Sequence, residues 1–271
     1  MTPIATPLVA ANGAAAFSPE EWTLRVELAA CYHIFDYLGW TEMIFNHITM
    51  RVPSDGHQFL INPYGLHYSE VTASNLVKID LDGKIIGHSE YSVNGAGFVI
   101  HSALHAAVPD ARCIMHTHTT AGMAVASSKR GLVPTNFYSA TLYDAVAYHD
   151  FEGPSVFDDE KPRLVADLGD KRAMILRNHG LLVAGRTIPE AFELIFRLER
   201  ACQIQMATEQ IDEGIMISQA VCQKSATPIS ADQRPTPNGK VATPTAGLLF
   251  DAMVRQAERK RIAEGLPPSE A

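Results

Sequence analysis

The sequence predicts an α/β fold in which helices cover a sheet. Segments with apolar residues at helical spacing alternate with short β-type runs, the pattern of a sheet packed under helices. The 271 residues, 46% of them hydrophobic, suffice for one substantial core. Clusters of Pro, Gly, Asp and Asn fall between the periodic segments, where turns belong.

Residues 1–17 are small and irregular, with Pro3, Pro7 and Gly13, and read as a flexible N-terminal arm. Ser18-Pro19-Glu20-Glu21 supplies an N-cap, a proline for the first helical position and a capping-box glutamate. Trp22, Val26, Ala29, Ala30 and Ile34 follow at helical spacing, and the helix ends near Gly39. The runs 48–52 and 59–61, separated by Pro53-Ser54-Asp55-Gly56, predict a hairpin. Runs 78–82 and 84–87 repeat that arrangement around Asp82-Gly83 as adjacent antiparallel strands. After Gly97, the residues Phe98, His101, Leu104 and Ala107 give a helix closed by Pro109-Asp110. A strand then runs from Cys113 to His118. Segments 121–128 and 142–147 are short helical or extended pieces. Ala173 to Leu176 reads as a buried strand entering Arg177-Asn178-His179-Gly180, with 182–184 continuing it outward. Ile188-Pro189-Glu190 opens a long helix whose apolar stripe reaches about Glu209.

The main domain is thus expected over 18–217. Residues 218–245 are rich in Ser, Thr, Pro, Gln and Lys and read as a linker, and 246–271 as a C-terminal helix and tail. That helix is either a docking element for a partner subunit or a solvated end helix. A net charge of −8 without a clustered basic face argues against a nucleic-acid partner. The longest apolar runs are too short to cross a bilayer and no signal-peptide pattern opens the chain, so no membrane partner and a cytoplasmic location are expected. Cys31, Cys113, Cys202 and Cys222 are widely spaced, which fits reduced thiols better than disulfides or a thiolate zinc site.

His116-Thr117-His118 ends an apolar run. On a strand, residues two apart point to one side, so both imidazoles can converge on one ion. His179, in a second strand-to-turn segment beside Gly180, makes a third donor, and Gly180 can adopt a backbone shape closed to other residues. Three neutral imidazoles suit one divalent transition metal (Zn, Mn, Fe or Co) and leave positions open for water or substrate. His101 and His105 are four apart on a helix without a third donor of their own, which favours a packing or supporting role. Tyr143 and His149 are candidate proton donors.

The stretch Asn94-Gly-Ala-Gly-Phe-Val-Ile-His101, then Pro109-Asp110, His116-Thr-His118, Ala147-Tyr-His-Asp150 and Arg177-Asn-His-Gly-Leu181, resembles the class II aldolase/adducin family, on the side of the adducin head and its bacterial relatives. The resemblance spans roughly residues 20–210. It implies a three-layer α/β/α fold on a mainly antiparallel central sheet, a homotetramer with the site near the subunit interface, and His116, His118 and His179 as metal ligands. It also implies what is missing here. In the aldolases a glutamate, metal ligand and acid/base, stands four residues before the helix histidine, where this chain has Gly97. The family's Gly-Asn pair becomes Phe45-Asn46, and its phosphate turn becomes Tyr64-Gly65. Sugar-phosphate cleavage is therefore not expected.

With three histidines but no carboxylate at 97, the chemistry expected is that of a divalent-metal lyase, a decarboxylase or aldolase-like enzyme. It would act on a small unphosphorylated carbonyl or carboxylate substrate through a metal-stabilised enolate. Decarboxylation needs no proton abstraction from carbon, only a later protonation. Asn46, Tyr64, Gly65 and Gly97 are the expected substrate-binding positions, with Phe45 and His67 lining the pocket. Two alternatives use the same residues: a non-heme Fe(II) oxygenase, and a non-catalytic, adducin-like assembly protein.

Overall fold

The computed structural model describes residues 16–53, 57–154, 158–226 and 245–270, with the side chains of Ala96 and Gly97 left aside. Most of the expected arm, the turn at 54–56 and the larger part of the expected linker lie outside the described residues.

Helix α1 (Pro19–Leu38) begins where its caps predict. Ser18 Oγ accepts from the Glu21 N–H, and Gly39 closes the helix with φ +70°. The capping box is not completed, because the Glu21 carboxylate takes Arg25 and Lys78, each at 2.9 Å. Buried Arg25 needs that charge more than the helix end does, and it also donates to the Ala73 and Leu76 carbonyls. Phe17, at the end of the expected arm, stacks on Trp22 and lies under the Arg25 guanidinium.

Strands β1 (Ile48–Arg51), β2 (Phe59–Ile61) and β3 (Val77–Ile79) form an antiparallel run. The partner expected over 84–87 is reduced to one bridge, Ile79 to Ile85. Asp80 Oδ1 accepts from the Asp82 and Lys84 N–H groups, which curls the chain into a local turn instead of a second strand. Helix α2 (Gly95–Ala107) leads to β4 (Cys113–Thr117), and helix α3 (Thr120–Ser127) is capped by Thr119. The short helix α4 (Phe137–Thr141) precedes β5 (Val146–His149), and α5 (Lys161–Leu168) precedes the hairpin of β6 (Ala173–Leu176) and β7 (Gly180–Gly185). β7 does not continue β6 outward: it folds back antiparallel, Leu176 opposite Gly180. The long helix α6 (Ile188–Glu209) carries Thr187 as N-cap. Residues expected to open a linker form α7 (Gln219–Ser225), anchored by buried Cys222 and by the Ile217 N–H to the Pro134 carbonyl. Helix α8 (Thr245–Glu264) follows.

The seven strands order as β3-β2-β1-β4-β7-β6-β5, antiparallel throughout except for β5 with β6. Alternation along each strand sends Met115, Ile175, Leu181 and Val183 to one face with α1, α3, α6 and α8. Ile114, Met174, Leu176 and Leu182 go to the other face, under α2 and α5. The result is the three-layer α/β/α arrangement with a mainly antiparallel sheet. The C-terminal helix, expected as either a docking element for a partner subunit or a solvated end helix, packs instead on its own chain: Phe250 and Ala257 enter the core cluster of α1 and α6, while Leu248 and Ile262 stay exposed.

Candidate metal centre

The strand registers gather one set of chain ends at one end of the sheet. These are the C-terminal end of β4, the N-terminal end of β1, the C-terminal ends of β2, β5 and β6, and the start of β7. His116 lies on the α2 face of β4, and His118 falls just past the strand on the same side, as a two-residue spacing requires. His179 closes the three-residue loop between β6 and β7. One nitrogen from each of the three rings lies within 4.8 Å of the others, and the Nε2 atoms of His116 and His118 are 2.7 Å apart.

That loop is held from several sides. The Arg177 N–H donates to the His149 carbonyl, the Asn178 N–H to the Ala126 carbonyl and the His179 N–H to the Leu176 carbonyl. Asn178, not Gly180, takes the left-handed backbone, with φ +56°. Gly180 is required for a different reason than its backbone freedom. A Cβ there would sit 2.3 Å from the Thr117 carbonyl oxygen and 3.2 Å from the rings of His116 and His118. His118 is positioned by its neighbour Thr119, whose hydroxyl caps α3 and donates to the buried Glu199 carboxylate of α6.

The donor set fits a divalent transition metal. The His116 Nδ1–H donates to the Leu181 carbonyl at 2.8 Å, which fixes the tautomer and leaves the Nε2 lone pair directed at the other two rings. Burial pushes His116 well below the ordinary imidazole range, lowers His118, and takes His179 down to about 4, the neighbouring histidines adding to the effect at His116 and His179. All three are thus neutral at physiological pH, the form that binds metal. His116, His118 and His179 are the residues that would hold such an ion, and it would supply a Lewis-acid centre beside them.

Of the other expected site residues, Asn46, Tyr64, Gly65 and the helix turn containing Gly97 come to the same end of the sheet as the triad. Asn46 is 2% exposed, and neither of its amide atoms has a hydrogen-bond partner among the described residues. Tyr64 is partly exposed in a turn that Gly65 completes with φ +101°. Phe45 is half exposed, and its carbonyl accepts from the Asn94 amide. His67 caps a single 3-10 turn through Ser69 and Glu70, which occupies its ring and backbone.

Two expectations change. Tyr143 lies before β5, at the far end of the sheet from the triad, because β5 runs parallel to β6 and only its C-terminal end approaches His179. His149 does stand at the right end, but its ring is engaged elsewhere. Nδ1 meets Asp167 at 2.7 Å and Nε2 meets Glu160 at 3.3 Å, so it ties β5 to α5 rather than offering a proton to the triad. His47, Thr49 and Glu199 escaped the sequence reading. The alternation that places Thr49 and His116 on one face also puts His47 there, and the His47 ring centroid is 6.1 Å from that of His116. Among the described residues no helix is long and apolar enough to cross a membrane.

Comparison with known proteins agrees with this architecture. Residues 26–206 match the description "Class II Aldolase and Adducin N-terminal domain". An aldolase II superfamily protein from Pseudomonas syringae superposes with a TM-score of 0.84 at 39% identity, covering 95% of this chain and 98% of that one. L-fuculose 1-phosphate aldolase from Glaciozyma antarctica PI12 superposes with a TM-score of 0.76 at 29% identity, covering 92% and 94%. Alpha-adducin of Mus musculus is 50% identical over 71% of this chain, a region that makes up 26% of the adducin.

Proposed function

The chain belongs to the class II aldolase and adducin family, whose aldolases are metal-dependent lyases, and from that premise we propose that it is a divalent-metal lyase for a small unphosphorylated carbonyl or carboxylate compound. The observation that carries the proposal is the convergence of His116, His118 and His179, with the His116 tautomer set by Leu181. A divalent cation held there supplies Lewis-acid stabilisation of negative charge developing on a substrate oxygen.

The chain's own residues do the rest. Leu181, Thr119 and the clamped 177–179 loop hold the three rings in place, so little reorganisation accompanies binding. Asn46 offers both a donor and an acceptor that nothing else in the described structure uses, and so orients a polar substrate group. Tyr64, at the position of the family's phosphate turn, offers an aromatic face in place of a hydroxyl-and-glycine cradle, which favours an unphosphorylated substrate over a sugar phosphate. With glycine at 97, a reaction that generates its carbanion by losing carbon dioxide suits the site better than one that begins by removing a proton from carbon. The exposed apolar residues Met43, Phe45 and Phe151 near this end of the sheet support a homotetramer with the site near the subunit contact.

A second reading rests on the likeness to alpha-adducin: the fold as an assembly module without catalysis. One set of measurements separates them. Protein purified without chelator is expected to carry about one transition metal per chain, lost in His116→Ala and His179→Ala. The metal-loaded protein is expected to release carbon dioxide from one or more members of a panel of keto and hydroxy acids. Wild-type protein that holds no metal after loading sinks the enzyme reading. Substrate-dependent oxygen uptake in place of carbon dioxide release would reassign the same histidines to an Fe(II) oxygenase.

A further inference from the structure

Under α2, on the same face of the sheet as His116, a line of buried polar groups has a direction. His105 Nδ1 lies 2.7 Å from the Ala111 carbonyl, which can only accept, so Nδ1 carries the hydrogen. Burial pushes His105 down to about 3, so the ring is neutral and its Nε2 is bare. That nitrogen lies 2.7 Å from Thr49 Oγ1 and must take the threonine hydrogen. Thr49 Oγ1, its one hydrogen spent, then accepts from His101 Nδ1, also at 2.7 Å. His101 is fully buried and likewise held neutral by burial, so its Nε2 is a bare lone pair. It has no hydrogen-bond partner among the described residues. The His47 ring is 4.1 Å from that of His101 and 6.1 Å from that of His116 by centroid, and His116 is near enough to act electrostatically on His101.

A buried acceptor left unmatched is destabilising, so a fold that builds a three-residue chain to hold it in that state has a use for it. We propose that Thr49 is a positioning residue that locks His101 as an obligate acceptor, and that His101 Nε2 receives the hydroxyl hydrogen of a hydroxylated ligand at the metal centre. The substrate class thereby narrows to hydroxy-carbonyl or hydroxy-carboxylate compounds. His101 is one helical turn from Gly97 along α2. This assignment rests on the metal reading above for the place of the ligand, but not for the state of His101.

The test is NMR of the full-length protein with nitrogen-labelled histidine, which reports which ring nitrogen carries the proton. Wild type and Thr49→Ser, which keeps the hydroxyl, are expected to show His101 protonated at Nδ1 and bare at Nε2. Thr49→Val is expected to lose that single state. Glycolate is expected to shift the His101 Nε2 signal, whereas acetate, the same carboxylate without the hydroxyl, leaves it in place. Both are titrated with and without zinc, and zinc content is measured on the same samples. A wild-type His101 protonated at Nε2, a Thr49→Val spectrum like wild type, or equal responses to glycolate and acetate would overturn the proposal. No response to either assigns the acceptor to a buried water and overturns it as well. Absence of bound zinc with the glycolate response intact would instead count against the metal reading alone.

Discussion

At the scale of single residues, the site depends on how closely two backbones approach. The Thr117 carbonyl occupies the place where a Cβ of residue 180 would go, and it belongs to the β4–β7 ladder, in which Thr117 faces Leu181. It cannot retreat without opening the strand pair that carries His116. Gly180→Ala is therefore expected to cost about 1–3 kcal/mol through overpacking. Because the same Cβ presses on the rings of His116 and His118, metal affinity should fall along with stability. Thermal unfolding and metal content measured on one preparation check this. A variant as stable as wild type that still binds metal would refute the close-approach account. The sequence reading had assigned Gly180 to backbone freedom. Spacing alone does not tell a glycine needed for its φ from one needed for its missing side chain, and here Asn178 supplies the left-handed turn.

At the scale of elements, what was legible followed from periodicity and caps. Helices α1, α2 and α6 and strand β4 all carry long stripes or runs bounded by signals such as Ser18, Pro109 and Ile188-Pro189-Glu190. The short pieces α4, α5 and α7 have no stripe longer than two turns, and their positions are set by tertiary anchors such as Leu164, Leu168 and Cys222. For the same reason the triad was readable and the Thr49 chain was not: His-x-His is a local spacing, whereas His101, Thr49 and His105 meet only once α2 lies across β1. Helix α8 shows what such anchoring does. His33 of α1 is buried, with Nε2 donating to the Val71 carbonyl at 2.6 Å and Nδ1 at 2.9 Å from the Ser269 hydroxyl beyond α8. Burial, together with the Arg261 charge, pushes His33 down to about 4, although Glu258 partly opposes the shift. The unfolded chain, with an imidazole near pH 6.5, then binds the proton more readily than the folded one. The contribution is present above about pH 6.5 and is lost as pH falls toward about 4, amounting to no more than about 3 kcal/mol. Other buried histidines act in the same direction, so the informative quantity is a difference. Urea unfolding between about pH 7 and about pH 5 should weaken wild type more than His33→Gln. Equal losses would mean that the C-terminal segment is not held through this histidine.

At the scale of the whole molecule, the three histidines come from the middle of the sheet. β4 and β7 are its central pair, β6 is next, and both cores pack on these strands, one on each face. A ligand that binds only when β4 and the β6–β7 loop are both in place binds the folded state alone, so its free energy adds to global stability rather than to a local loop. At free metal about 100-fold above Kd the gain is about 2.7 kcal/mol. For a domain of this size, about 2–4 °C in Tm accompanies each kcal/mol, so chelation should lower Tm by about 5–10 °C and restored metal should recover it. His118→Ala should abolish the difference between chelated and metal-loaded samples while changing the chelated Tm little, because that ring is only partly buried and its Nε2 meets only His116 among its described hydrogen bonds. The comparison is made at several protein concentrations, since subunit association would also raise Tm but would do so in a concentration-dependent way. A metal-dependent shift that persists in His118→Ala would place the bound ion outside the triad, and with it any reaction that depends on the ion.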